Sequence, residues 1–197
     1  MQSAYQLGLR LPAGPGDGMS IWAGLNPPYS TIVIDPPWPY GVGPHKSREG
    51  YKGKSLPYSS MTLPEIRALP VAELGTDVRV YLWITNRYLR YGWDILESWG
   101  FEVADRTFVW CKKPRCTTPV TTEYILVGKR GKPARLPWHP TTHFHWPLQS
   151  AHSQKPAAFM DLVEQWSEPP YLELFARSPR LGWDSWGMGW EGIIRHR

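Results

Sequence analysis

The chain has 197 residues, enough to bury the core of one domain, and a single domain spanning 1–197 is the expectation. Apolar residues make up 42% of it without an uninterrupted stretch of membrane length, which argues against a membrane partner. The 22 Lys and Arg outnumber the 17 Asp and Glu, a formal +5 that suits a polyanion, and two cysteines exclude a disulfide framework.

The first twenty residues carry neither a basic stretch nor an apolar run of the secretory kind, and residues 1–19, ending in Pro12-Ala13-Gly14-Pro15-Gly16-Asp17-Gly18, read as a turn-rich lead-in. Together with the two cysteines this gives a reducing, cytoplasmic setting as the expectation. Next comes the most informative stretch, Ile32-Val33-Ile34-Asp35-Pro36-Pro37-Trp38-Pro39-Tyr40. Its β-branched run predicts a buried parallel strand, which the prolines stop by removing backbone donors and fixing φ. Asp35 is thereby held at a strand's carboxyl end, where open α/β sheets bind ligands.

Those residue types together suit methyl transfer to an exocyclic amine. The amine of adenine gives its lone pair to the ring, so it needs acceptors that pull the lone pair back. A carboxylate oxygen of Asp35 and the carbonyl of Pro36 can each take one amine hydrogen, and rigid acceptors do so with little reorganisation. Trp38, with Tyr40 or Tyr58, offers an aromatic face for an extruded base, worth roughly 1–3 kcal/mol. Beside this stands a plainer alternative, a strand closing on a Pro-rich turn with Asp35 capping a neighbour.

Residues 41–57 have no periodicity and read as a mobile loop, with Lys46, Arg48, Lys52 and Lys54 available to phosphates. Thr62 or Leu63 caps a short helix that Pro64 and Glu65 suit as first-turn residues. Val78 to Ile84 is the next strand. Tyr88, Leu89, Gly92, Ile95, Leu96 and Trp99 recur at helical spacing, with Gly100 as terminator. Phe101 to Trp110 and Glu123 to Gly128 read as further strands. Between and after them lie two more basic clusters, Lys112, Lys113 and Arg115, then Lys129, Arg130, Lys132 and Arg135. Solvated basic loops remain the alternative for each. His139, His143 and His145 lack a second ligand cluster, so no metal is expected.

In the last third, Pro156 suits the first turn of a helix whose apolar face is Phe159, Met160, Val163 and Trp166, placing Lys155 at its entrance. A strand over Leu172 to Phe175 follows, with Glu173 and Arg177 near its end, where a carboxylate can accept from ribose hydroxyls.

These residues resemble the DPPW-type adenine-N6 methyltransferase family. Beyond Asp35-Pro36-Pro37-Trp38, the resemblance runs through Leu56-Pro57-Tyr58-Ser59-Ser60-Met61, Tyr81-Leu82-Trp83-Ile84-Thr85 and Glu123-Tyr124-Ile125-Leu126-Val127-Gly128. It continues in His152-Ser153-Gln154-Lys155-Pro156, Glu173-Leu174-Phe175-Ala176-Arg177 and Gly182-Trp183-Asp184-Ser185-Trp186-Gly187. It implies an α/β fold, a Rossmann-like class I methyltransferase domain with the permuted β-class motif order, and S-adenosylmethionine as cofactor. The resemblance makes Asp35, Pro36, Pro37 and Trp38 the catalytic loop and Tyr58 a lining of the adenine pocket, with Glu123 facing the base. Ser153 and Lys155 fall at the junction of substrate and cofactor; Asp35, Glu173, Leu174, Phe175 and Arg177 fall around the cofactor. Residues 17–25 are expected near its adenine. Two departures stand out: where the mRNA member has His-Asn and Asn-Gln pairs, this chain has Pro179-Arg180 and Met188-Gly189. DNA is the leading acceptor, in a bacterial or phage-infected cell, RNA is the runner-up, and a non-catalytic nucleic-acid-binding scaffold is a third reading.

Overall fold

The computed structural model describes residues 21–39, 60–112, 122–135, 142–145, 155–187 and 194–195. Eight strands form one mixed sheet. They are β1 Thr31–Ile34, β2 Val78–Thr85, β3 Glu102–Cys111, β4 Thr122–Arg130, β5 His143–Phe144, β6 Tyr171–Leu174, β7 Trp183–Trp186 and β8 Ile194–Arg195, in the order β5-β3-β4-β2-β1-β6-β7-β8. The centre is parallel, β2, β1, β6 and β7 running together, while β4 is antiparallel to both β2 and β3. Helices α1 (Leu63–Arg67) and α2 (Leu89–Ser98) cover one face and α3 (Ala157–Trp166) the other.

Local chemistry explains the boundaries. Thr62 caps α1 in a reciprocal capping box: its Oγ1 accepts from Glu65 N at 3.4 Å and its N–H donates to Glu65 Oε2 at 2.6 Å. Helix α2 stops at Gly100, whose φ of +78° a residue with a Cβ resists. Strand β6 ends at Leu174, one residue before the expected limit. Phe175 turns into the left-handed region at φ 64°, and its N–H and that of Ala176 both donate to the Trp186 carbonyl. Strand β7, not foreseen, pairs in parallel with β6 and extends the sheet.

Period-two alternation splits the core between the two faces. Ile32, Ile34, Val80, Leu82, Ile84, Leu126, Leu172 and Leu174 point towards α1 and α2. Val33, Tyr81, Trp83, Phe108, Trp110, Ile125 and Val127 meet Phe159, Met160, Val163 and Trp166 of α3. Topology then gathers chemistry at one edge. The carboxyl ends of β1, β2, β3, β6 and β7 and the amino end of β4 all meet there, as the pairings Thr85 with Glu123, Cys111 with Thr122 and Leu174 with Trp186 require. Among the described residues no helix is long and apolar enough to cross a membrane.

Candidate active site

Asp35 leaves β1 still tied to β6, its N–H donating to the Leu174 carbonyl at 3.4 Å. The next residues form a tight turn in which Trp38 N donates to Pro36 O at 2.8 Å, and Met61 N donates to Pro37 O at 2.8 Å. The loop is thus pinned to the core on both sides. Pro36 O has one lone pair engaged by Trp38 and keeps the second for another donor.

The Trp38 ring does not offer the open stacking face expected of it. It is 2% exposed and stacks on Tyr88 at 5.3 Å between centroids and 14° between planes. Tyr88 in turn donates its hydroxyl to Pro39 O at 2.6 Å. Two aromatic rings therefore clamp the Asp35–Pro39 turn. Tyr88, arriving from the start of α2, was not foreseen as a site residue, because its helical spacing reads simply as core.

Lys155, at the entrance to α3, carries the centre of the site. Its Nζ lies 3.2 Å from Asp35 Oδ2 and 2.9 Å from Glu123 Oε2, and 5.1 Å from the centroid of Trp83. Lys112 completes the network by donating to Glu123 Oε1 while sitting 4.9 Å over the Trp110 ring. All four charged side chains are less than one-fifth exposed. The expectation that Lys112 meets phosphates is corrected accordingly: Glu123 and Trp110 turn its ammonium inward.

Burial works against ionisation of Asp35 and raises its pKa, with Lys155 only partly offsetting this and Glu123 adding to it. Burial opposes ionisation of Glu123 as well, but Lys155 and Lys112 outweigh it and hold its carboxyl below the usual range. Lys155 is likewise desolvated, yet Asp35 and Glu123 together push its pKa up, so it stays charged. Two ammonium groups thus face two carboxyl groups in a preorganised cluster.

Glu173 stands apart. It pairs in register with Val33 of β1 and Ser185 of β7, so it shares the α3 face with Asp35. No hydrogen bond or ion pair reaches its carboxylate among the described residues. Burial, then the charge of Asp35, pushes its pKa to about 7, with Arg180 and Arg177 pulling the other way. A desolvated acceptor without a donor, at the carboxyl end of a central strand, fits a ligand that brings hydroxyl donors, as a nucleoside ribose does.

The other expected cofactor residues fall differently. Leu174 is fully buried in the α1/α2 core and Phe175 packs edge-on against Trp186, so neither side chain is free for a ligand. Arg177 is exposed beyond the strand. Arg180, one of the departures, is held on α3 by Asp161 at 2.6 Å and Glu164 at 2.8 Å. Trp22, in the segment expected near the cofactor's adenine, spends its Nε1 on Pro70 O at 3.0 Å and its ring against Trp186. Arg130 and Arg135 lie towards the opposite edge of the sheet, Arg130 donating to Ala72 O. Tyr40, Lys46, Arg48, Lys52, Lys54, Tyr58, Lys113, Ser153, Met188 and Gly189 lie outside the described residues.

The MT-A70 family profile matches residues 29–189. The type II methyltransferase M.MunI of Mycoplasma sp is 31% identical over 179 residues, 81% of this chain and 77% of that protein. The N(6)-adenosine-methyltransferase MT-A70-like protein of Drosophila melanogaster is 28% identical over 84% of this chain, which spans 27% of it. The human N(6)-adenosine-methyltransferase catalytic subunit METTL3 is 28% identical over 53% of this chain and 18% of its own length.

Proposed function

Because the chain belongs to the MT-A70 family of adenine N6-methyltransferases, whose members use S-adenosylmethionine, we propose that it methylates the N6 amine of adenine in DNA by direct in-line transfer. The observation that carries this reading is the Lys155, Asp35 and Glu123 cluster, locked at the carboxyl end of β1 beside the free carboxylate of Glu173. The proposed domain is the class I methyltransferase fold in its permuted order, with the catalytic turn ahead of the β6 strand that would hold the cofactor.

When bound, S-adenosylmethionine supplies an electrophilic methyl group. The remaining tasks fall to the chain. Asp35 and the second lone pair of Pro36 O accept the two amine hydrogens and turn the nitrogen lone pair outward. Lys155 favours the ionised form of Asp35 against the pull of burial and fixes its rotamer. Glu123, itself held by Lys112 and Lys155, borders the same space. Glu173 takes the ribose hydroxyls. As nitrogen gains the methyl it loses one proton, through Asp35 or to water. Most of the acceleration comes from orientation and fixed acceptors rather than a covalent intermediate.

DNA is favoured over RNA on coverage: the chain spans most of the type II methyltransferase and about a quarter of the fly adenosine methyltransferase. A duplex adenine must first leave the stack, so single strands or flipped bases are the working substrate. The direct test is methyl transfer from labelled cofactor to matched single-stranded DNA, duplex DNA and RNA, with the product nucleoside identified by mass spectrometry. N6-methyladenine in DNA is the expected result. Product in RNA alone reverses the choice of polymer, and absence of both cofactor binding and product favours the scaffold reading.

A further inference from the structure

At the edge of the sheet opposite the active site, we infer an oxyanion site built on the Arg79 guanidinium and sized for one phosphate group. Arg79 is the second residue of β2, in register with Thr31 of β1 and Lys129 of β4, and its side chain lies on the α3 face with Tyr81. Six residues of strand, roughly 20 Å, separate it from Thr85 at the catalytic edge.

Arg79 is 6% exposed, and no hydrogen bond or ion pair reaches its guanidinium among the described residues. The groups that act on it are Tyr81, whose hydroxyl is shared with Ser167 Oγ at 2.7 Å, and Arg106, a like charge. Burying an unpaired charge is costly, and burial already depresses the Arg79 pKa. A planar fork of donors in that state calls for an oxyanion.

The space for one is present. Arg79 lines a cavity of about 130 Å³ with Ser30, Thr31, Ser167 and Lys132. That is well short of the roughly 300 Å³ at which pockets for whole small molecules begin, and suits a tetrahedral anion with water. Two acidic residues, Asp77 and Glu168, also line it, and both are exposed. Asp77 spends Oδ1 on the backbone N–H of Lys132 at 2.6 Å, and Glu168 uses its carbonyl on Thr31 Oγ1 at 2.8 Å. At the end of β4, Lys129 pairs with Glu102 and Arg130 donates to Ala72 O, while Lys132, two residues beyond the strand, joins Arg79 at the cavity.

Inorganic phosphate and a nucleic-acid phosphodiester share this chemistry, and the test separates them. Thermal unfolding is followed with inorganic phosphate against chloride at equal ionic strength, for the wild type and for Arg79→Met. Saturating phosphate should raise the wild-type midpoint by about 2–5 °C and leave Arg79→Met unmoved. In chloride, Arg79→Met should unfold no lower than the wild type, because the substitution removes an uncompensated charge. No wild-type shift, or an equal shift in the variant, overturns the site, as does a variant that unfolds well below the wild type in chloride. Independently, Lys132→Met at the exposed rim must reduce the phosphate shift for the site to stand. For the source, oligonucleotide binding is titrated against salt. A slope reduced by about 0.7–0.9 in Arg79→Met assigns the site to a backbone phosphate, and an unchanged slope assigns it to free phosphate. The phosphate arm requires no methyl transfer, so its failure is distinct from failure of the proposed activity.

Discussion

Glu173→Gln separates two things the same carboxylate does. In the folded chain burial and Asp35 raise the Glu173 pKa from 4.5 to about 7, while the unfolded chain returns it to the ordinary value. Between those values the native state keeps a proton that the unfolded state releases. The stabilising contribution is therefore complete below about pH 4.5 and is lost as pH rises through 7. The gap corresponds to about 3 kcal/mol once both states are ionised. Glutamine keeps the shape and cannot ionise. Glu173→Gln should accordingly match the wild type near pH 4.5 and exceed it by about 3 kcal/mol at pH 8.5, roughly 6–12 °C in the unfolding midpoint. Denaturant titrations at the two pH values measure this. An equal difference at both would refute the reasoning, since the penalty would then not be ionisation. The same variant should bind S-adenosylmethionine about 10- to 150-fold more weakly, by loss of a charged acceptor for the ribose hydroxyls. Wild-type affinity should tighten as pH rises through 7 because ligand donors favour the carboxylate, and calorimetry on Glu173→Gln should show that dependence gone.

Other substitutions test the rest of the site. Asp35→Ala should lower kcat by at least about 100-fold while calorimetry still detects cofactor binding; near wild-type turnover would sink the proposed role. Lys155→Met strands Asp35 and Glu123 without their shared cation and should cost about 3–5 kcal/mol at pH 8, with a smaller loss in acid as the carboxyls protonate, read by denaturant titration. Gly187→Ala would set a Cβ 2.3 Å from the Ala176 carbonyl oxygen, a backbone atom that cannot swing away. A loss of about 1–3 kcal/mol in the same assay is expected, and a neutral result would mean that the β6 and β7 ends are less rigid than their pairing indicates.

Asp35 and Lys155 are legible singly in the sequence, and their partners are not. Asp35 announced itself because an apolar run, two prolines and a tryptophan are contiguous. Lys155 was placed at a helix entrance by Pro156 and the apolar spacing that follows. Lys112, by contrast, looked like one more basic surface residue, since nothing near it in the chain reveals Glu123 across the β3–β4 pair or the Trp110 ring beneath it. Nor does the sequence around Trp38 reveal that Tyr88, from another element, covers its face.

The sequence by itself determined what is encoded over a few residues: the buried β1 strand and its proline stop, the Thr62 capping box, the Gly100 terminus of α2 and the apolar face of α3. Those depend on backbone donors, φ preferences and periodicity, which neighbouring residues settle among themselves. Tertiary structure alone decided the joining of Asp35, Lys155, Glu123 and Lys112 into one cluster, the isolation of Glu173 and the unpaired burial of Arg79. Charges become partners, or lose them, only when strand order and register bring distant segments into a shared low-dielectric space.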